Sequence, residues 1–92
     1  MAIGSGVSLQ MIKLLFFANI KERLGINEIS IDFVENESLQ AVTQRLIKLY
    51  GNEWEILLEP ETVFSCNQRV SDRDLIVVDG DEIAYFPPVT GG

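Results

Sequence analysis

Short apolar runs and one long helical stripe organise this chain. "IKLLFFA" (Ile12–Ala18) is an apolar run broken only by Lys13, which predicts a strand near the middle of a sheet. "NIKERLG" follows and predicts a short helical turn stopped by Gly25. "NEISIDF" then alternates: Ile29, Ile31 and Phe33 on one face, Glu28, Ser30 and Asp32 on the other. That period of two predicts a half-buried strand, a hairpin partner of the first. "SLQAVTQRLIKLYG" changes the period. Leu39, Val42, Leu46, Leu49 and Tyr50 recur at helical steps and form one apolar stripe. Ser38 is the expected N-cap and Gly51 the stop.

Beyond the helix the pattern is less decisive. "NEWEILLEP" fits a helical turn that covers one end of the core with Trp54 and Leu57, closed by Pro60. "ETVFSCNQRV" reads as a third strand region, and "DLIVV" fits a short strand or an apolar loop equally. "DGD" (79–81) marks a turn. "EIAYF" is the last strand. The order strand, strand, helix, strands predicts an α+β roll of the ubiquitin-like kind, with one main helix packed across a mixed sheet.

Length leaves room for one domain: 92 residues can bury a single core. Within residues 1–10 ("MAIGSGVSLQ") the stretch "GSGVS" is small and flexible, and the segment is expected to be a flexible extension, added or disordered, without a secretory signal. The domain is then expected over 11–86, with an extended tail over 87–92. No apolar run is long enough to suggest a membrane helix. The net charge of −7 disfavours nucleic acid and suits a protein that docks on a basic partner.

One cysteine and no histidine restrict the chemistry further. A disulfide within the chain is excluded, which suits a reducing, cytoplasmic setting. A zinc site of the Cys/His kind cannot be built, and the commonest general base is missing. Cys66 lies in a strand pattern with no base beside it and reads as a small buried hydrophobe. Glu35 and Glu37 precede the helix and are explained by its N-terminal dipole. "DGDE" is too short for a calcium loop. Phe16 and Phe17 are adjacent, as are Tyr85 and Phe86, so one member of each pair points away from the core. Such an outward aromatic patch suggests a partner surface.

The chain finishes "FPPVTGG". Pro87 and Pro88 cannot donate to a sheet ladder, so they end the strand and hold the chain extended. The segment from Pro87 to Gly92, extended, reaches on the order of 20 Å. Gly91 and Gly92 have no side chains and can thread a narrow channel. The terminal carboxylate, ionised at neutral pH, can attack a nucleotide phosphate held by another enzyme. The tail therefore reads as a carboxyl group delivered on a stalk.

"GDEIAYFPPVTGG", together with "MIKLLFFANIKERLG" and "NQRV" at its spacing from "DGDE", resembles the small-subunit family of molybdopterin synthase, the MoaD family. The resemblance spans about Met11 to Gly92, and "FPPVTGG" is its specific part. It implies a ubiquitin-like β-grasp fold and a sulfur-carrier role. An adenylating enzyme of the MoeB type would use ATP to convert the Gly92 carboxylate to an acyl-adenylate, and a sulfur donor would leave a thiocarboxylate. A large subunit of the MoaE type would pass that sulfur to the cyclic pyranopterin precursor, in a heterotetramer of two small and two large subunits. Gly91 would give clearance. Phe17, Val70 and Phe86, with Pro87 and Pro88, would dock the partners. No cofactor or metal is expected on this chain itself. The N-terminal extension and the charged "VENES" stretch depart from the family pattern. Two other expectations share the same tail: a carrier for thiamine or tRNA thiolation, and a ubiquitin-like protein modifier. A plain interaction domain would have no use for Gly92.

Overall fold

A computed structural model describes residues 10–87. The expectations for residues 1–9 and for Pro88, Gly91 and Gly92 lie outside the described residues. The elements are β1 (Met11–Phe16), α1 (Ala18–Leu24), β2 (Glu28–Asp32), α2 (Leu39–Tyr50), a 3-10 helix (Asn52–Leu58), β3 (Val63–Cys66), β4 (Arg69–Val70) and β5 (Glu82–Phe86). The five strands form one sheet in the order β2-β1-β5-β3-β4. β1 and β5 run parallel at its centre, and the remaining pairs are antiparallel.

One face of the sheet carries the core. Ile12, Leu14 and Phe16 of β1, Phe64 of β3, and Ile83 and Tyr85 of β5 are buried against Leu39, Val42 and Leu46 of α2 and Leu57 of the 3-10 helix. Each such side chain contributes about 1.5–3 kcal/mol of hydrophobic stabilisation. Phe16 stacks on Tyr85 and meets the edge of Trp54.

The helix ends follow the chemistry predicted for them. Gly25 sits at φ +73°, the left-handed conformation that a Cβ disfavours, and ends α1. Ser38 Oγ accepts from Ala41 N at 3.1 Å. The first amides of α2 gain partners that the sequence does not reveal: Leu39 N donates to Leu75 O at 2.9 Å, and Gln40 N to Arg73 O at 3.0 Å.

Several expectations are corrected. Leu49 and Tyr50 are exposed, not part of the buried stripe, and Thr43 is buried in their place. They lie on the last turn of α2, where Gly51 redirects the chain and the 3-10 helix takes over the cover; Tyr50 stacks on Trp54 from outside, with ring centroids 4.5 Å apart. The strand region expected over "ETVFSCNQRV" is a hairpin of two strands. Asn67 and Gln68 both take positive φ and turn β3 back as β4. "DLIVV" is a loop that makes one bridge, Ile76 to Ser38, and buries Val77. β2 pairs with β1 antiparallel as expected, and the helical turn expected over "NIKERLG" is α1, which joins them. Glu37 does not serve the α2 dipole alone: it binds Arg45 through both carboxylate oxygens, at 3.0 and 2.7 Å.

Candidate functional site: the outer sheet face

Strand alternation determines which side chains the second sheet face presents. Leu15 of β1, Val63 and Ser65 of β3, and Glu82, Ala84 and Phe86 of β5 point away from the helices, because their neighbours point inward. Phe17 joins them at the end of β1. Its own backbone is extended, and the next residue, Ala18, turns the chain into α1 at φ +54°. That left-handed alanine costs on the order of 1 kcal/mol, and it releases Phe17 from the helix to lie over Phe86. The two rings stack with centroids 4.7 Å apart and planes within 5°.

Val70 reaches the same face from β4. It is 80% exposed, and Phe17 is 39% exposed. Phe17, Val70 and Phe86 line one depression of about 380 Å³, which also takes in Leu15, Gln68 and Glu82. The structure thus brings together the three apolar residues singled out in the sequence. Pro87 continues directly from Phe86, half-buried, and its missing N–H ends β5 beside this patch.

A polar clasp that sequence reading missed holds this face in register. Asn67 N donates to Glu82 O at 2.7 Å, and Glu82 N donates to Asn67 Oδ1 at 3.0 Å. Asn67 Nδ2 donates to Asp81 Oδ1 at 2.9 Å, and Asp81 Oδ2 accepts from Val78 N at 2.8 Å. The β3–β4 turn is thereby tied to the start of β5, and Val70 is held next to Phe86. The available signal was the asparagine between two strand-like runs, a residue that tolerates left-handed backbone.

Cys66 is buried beside this clasp, and Asn67 Nδ2 lies 3.7 Å from its Sγ. Burial pushes the thiol up to about 11, with the Asp81 carboxylate adding to the effect by hydrogen bonding and charge. The thiol is therefore neutral near pH 7, in keeping with its reading as a small core residue. A larger open groove, about 930 Å³, runs between α2 and the 3-10 helix. Its charged residues include the paired Glu37 and Arg45, and it contains no histidine or cysteine. Among the described residues no cluster of three His, Cys, Asp or Glu could hold a metal ion. No helix among them is long and apolar enough to cross a membrane.

A mixed sheet with a parallel central pair, grasping one main helix, defines a ubiquitin-like β-grasp protein. The chain belongs to the ThiS family, whose sequence profile matches residues 14–92. It is 38% identical over 85 residues to the molybdopterin synthase sulfur carrier subunit of Escherichia coli (strain K12), covering 89% of this chain and all of that one. Subunits 1 and 2 of molybdopterin-converting factor from Helicobacter pylori 26695 form a solved complex. One chain of it matches with a TM-score of 0.61 at 24% identity, over 89% of this chain and 99% of that chain. The small archaeal modifier protein 1 of Haloferax volcanii matches with a TM-score of 0.73 at 17% identity, over 87% of this chain and 99% of that chain. These two structural likenesses establish the fold.

Proposed function

We propose that this chain is the sulfur carrier subunit of a molybdopterin synthase and that its C-terminal glycine carries the sulfur. The observation that supports this most is the 38% identity along the whole length of the Escherichia coli carrier subunit. The family match extends to residue 92, the Gly-Gly end.

The chemistry needs little from the chain itself. The Gly92 carboxylate attacks the α-phosphorus of ATP on an adenylating enzyme of the MoeB type, forming an acyl-adenylate and releasing pyrophosphate. A sulfur donor then displaces AMP, and the terminal group becomes a thiocarboxylate. On the large subunit, of the MoaE type, the sulfur passes to cyclic pyranopterin monophosphate and the carboxylate returns. Two such transfers supply both dithiolene sulfurs. Gly91 provides clearance in both narrow sites. Pro87 and Pro88 keep the tail extended. Phe17, Val70 and Phe86 form the docking patch, and the acid–base side chains belong to the large subunit. Two carriers and two large subunits make the working heterotetramer. A cytoplasmic setting fits a chain with one cysteine, buried and unpaired.

The test is the intact mass of the full chain after incubation with ATP, the adenylating enzyme and a sulfur donor. A gain equal to exchange of one oxygen for sulfur, in the C-terminal peptide, is expected. No gain, with partners active on another carrier, overturns the reading. Covalent adducts joining Gly92 to lysines of other proteins would instead assign the chain to protein modification.

A further inference from the structure

The docking depression carries charge at one place. Ser65 and Gln68 are neutral, and the only charged side chain lining it is Glu82, at the first position of β5. The main chain of Glu82 is locked from both sides by Asn67, at 2.7 and 3.0 Å, so the direction in which its side chain leaves the sheet is set. The nearest cation by register is Lys13, its partner on β1. The Lys13 ammonium, however, lies 3.9 Å from Glu28. Among the described residues the ion pairs are Lys13–Glu28 and Glu37–Arg45, and Glu82 is in neither.

We propose that Glu82 is a specificity-determining residue of the docking face, and that its carboxylate receives an arginine or lysine side chain from the large subunit. The inference rests on the sulfur-carrier reading above and identifies what that surface selects. A partner closing over Phe17, Val70 and Phe86 must also close over Glu82. An apolar cover would strip water from the carboxylate and leave a buried, unpaired charge, which is strongly penalised. A cationic cover turns the same group into an attractive contact. An arginine suits it best, because its planar fork can bind both carboxylate oxygens. Apolar contacts hold any apolar partner; the single carboxylate rejects those without a matching cation. The net charge of −7 on the whole chain steers the same class of partner at longer range.

The experiment is calorimetric titration of the full chain against the large subunit at low and at high salt, with Glu82→Gln, Glu82→Asp, Glu82→Lys and Phe86→Asp alongside the parent. Glu82→Gln keeps the backbone bonds to Asn67 and is expected to weaken binding about tenfold or more at low salt, with a shallower salt dependence. Glu82→Asp is expected to restore the salt dependence, which a purely structural role would not do. Glu82→Lys should bind more weakly than Glu82→Gln. If Glu82→Gln binds like the parent with the same salt dependence, while Phe86→Asp is impaired, the role of Glu82 is overturned and the docking face stands. If Phe86→Asp also binds like the parent, the docking face itself fails, and this inference with it.

Discussion

Phe17 and Phe86 lie face to face across the seam between β1 and β5, 4.7 Å between ring centroids, on the side of the sheet away from the core. Their chain neighbours Phe16 and Tyr85 stack on the other side, inside it, at 5.5 Å. The same two strand ends thus carry one aromatic pair inside the core and one on the outer face of the sheet. Phe86→Asp is expected to cost about 1 kcal/mol of folding stability, the scale of one aromatic pair, and to weaken the large-subunit complex by much more than tenfold. Thermal unfolding and titration, measured on the same preparation, separate the two effects. A large drop in Tm would instead place Phe86 among the residues that hold the fold.

Removing Gly92, or adding one residue after it, should abolish sulfur transfer and leave Tm unchanged. The last strand ends at Phe86 and the core cluster is built from residues before it, so the change should touch chemistry alone. Reconstituted molybdopterin formation and a melting curve check both halves. Transfer that persists in the shortened chain would remove Gly92 from its assigned role.

Thr43 and Tyr85 form the one buried hydroxyl pair that α2 offers to the sheet, at 2.8 Å. The Thr43 hydroxyl donates to Leu39 O at 2.8 Å, so the Tyr85 hydroxyl must be the donor to Thr43 Oγ1. An asymmetry follows. Tyr85→Phe removes a donor and leaves Thr43 still bonded, costing about 1 kcal/mol. Thr43→Val strands the fully buried tyrosine hydroxyl and is expected to cost about 2–3 kcal/mol. Urea unfolding of both variants tests the order, and a reversal would show that the hydroxyl finds another partner.

Cys66 should be slow to alkylate in the folded chain at pH 8 and fast in denaturant, as judged by iodoacetamide labelling followed by mass. Its raised thiol also sets a pH dependence. The neutral form is favoured by folding, so its contribution is complete below about 9.0, the ordinary thiol value, and is lost as pH rises through about 11. Cys66→Ala should flatten the stability profile in that alkaline window. An unchanged profile would put the alkaline loss elsewhere.

Gln68 sits at φ +70° in the second turn position between β3 and β4, where glycine is the favoured residue. Gln68→Gly is expected to raise stability by roughly 0.5–1 kcal/mol. A fall in Tm would mean that the glutamine side chain contributes a contact worth more than the backbone strain it carries.

The chain read alone discloses the parts governed by local chemistry. Alternation in "NEISIDF" and the stripe from Leu39 to Leu46 identify β2 and α2, because burial on one face imposes its period on the residues. Ser38, Gly25 and Gly51 mark the helix ends, since capping is decided within a few residues. The expectation for the tail rests on the same kind of local chemistry, since prolines and glycines act through their own backbones. The outward and inward members of the two aromatic pairs follow from the pleat, once strands are assumed.

Other features depend on residues far apart in sequence. Arg45 turns Glu37 into half of an ion pair. The carbonyls of Arg73 and Leu75 serve the amides of α2, which local pattern cannot announce. Asn67 clasps Asp81 and Glu82 across the hairpin, a relation that exists only after β3 and β5 have paired. Leu49 looked like core because periodicity reports which side of a helix is apolar, not where the neighbouring layer stops. The outer aromatic face is of this second kind as well. Phe17, Val70 and Phe86 come from three different strand ends, and only sheet topology, with its parallel β1–β5 pair, sets them side by side around one carboxylate.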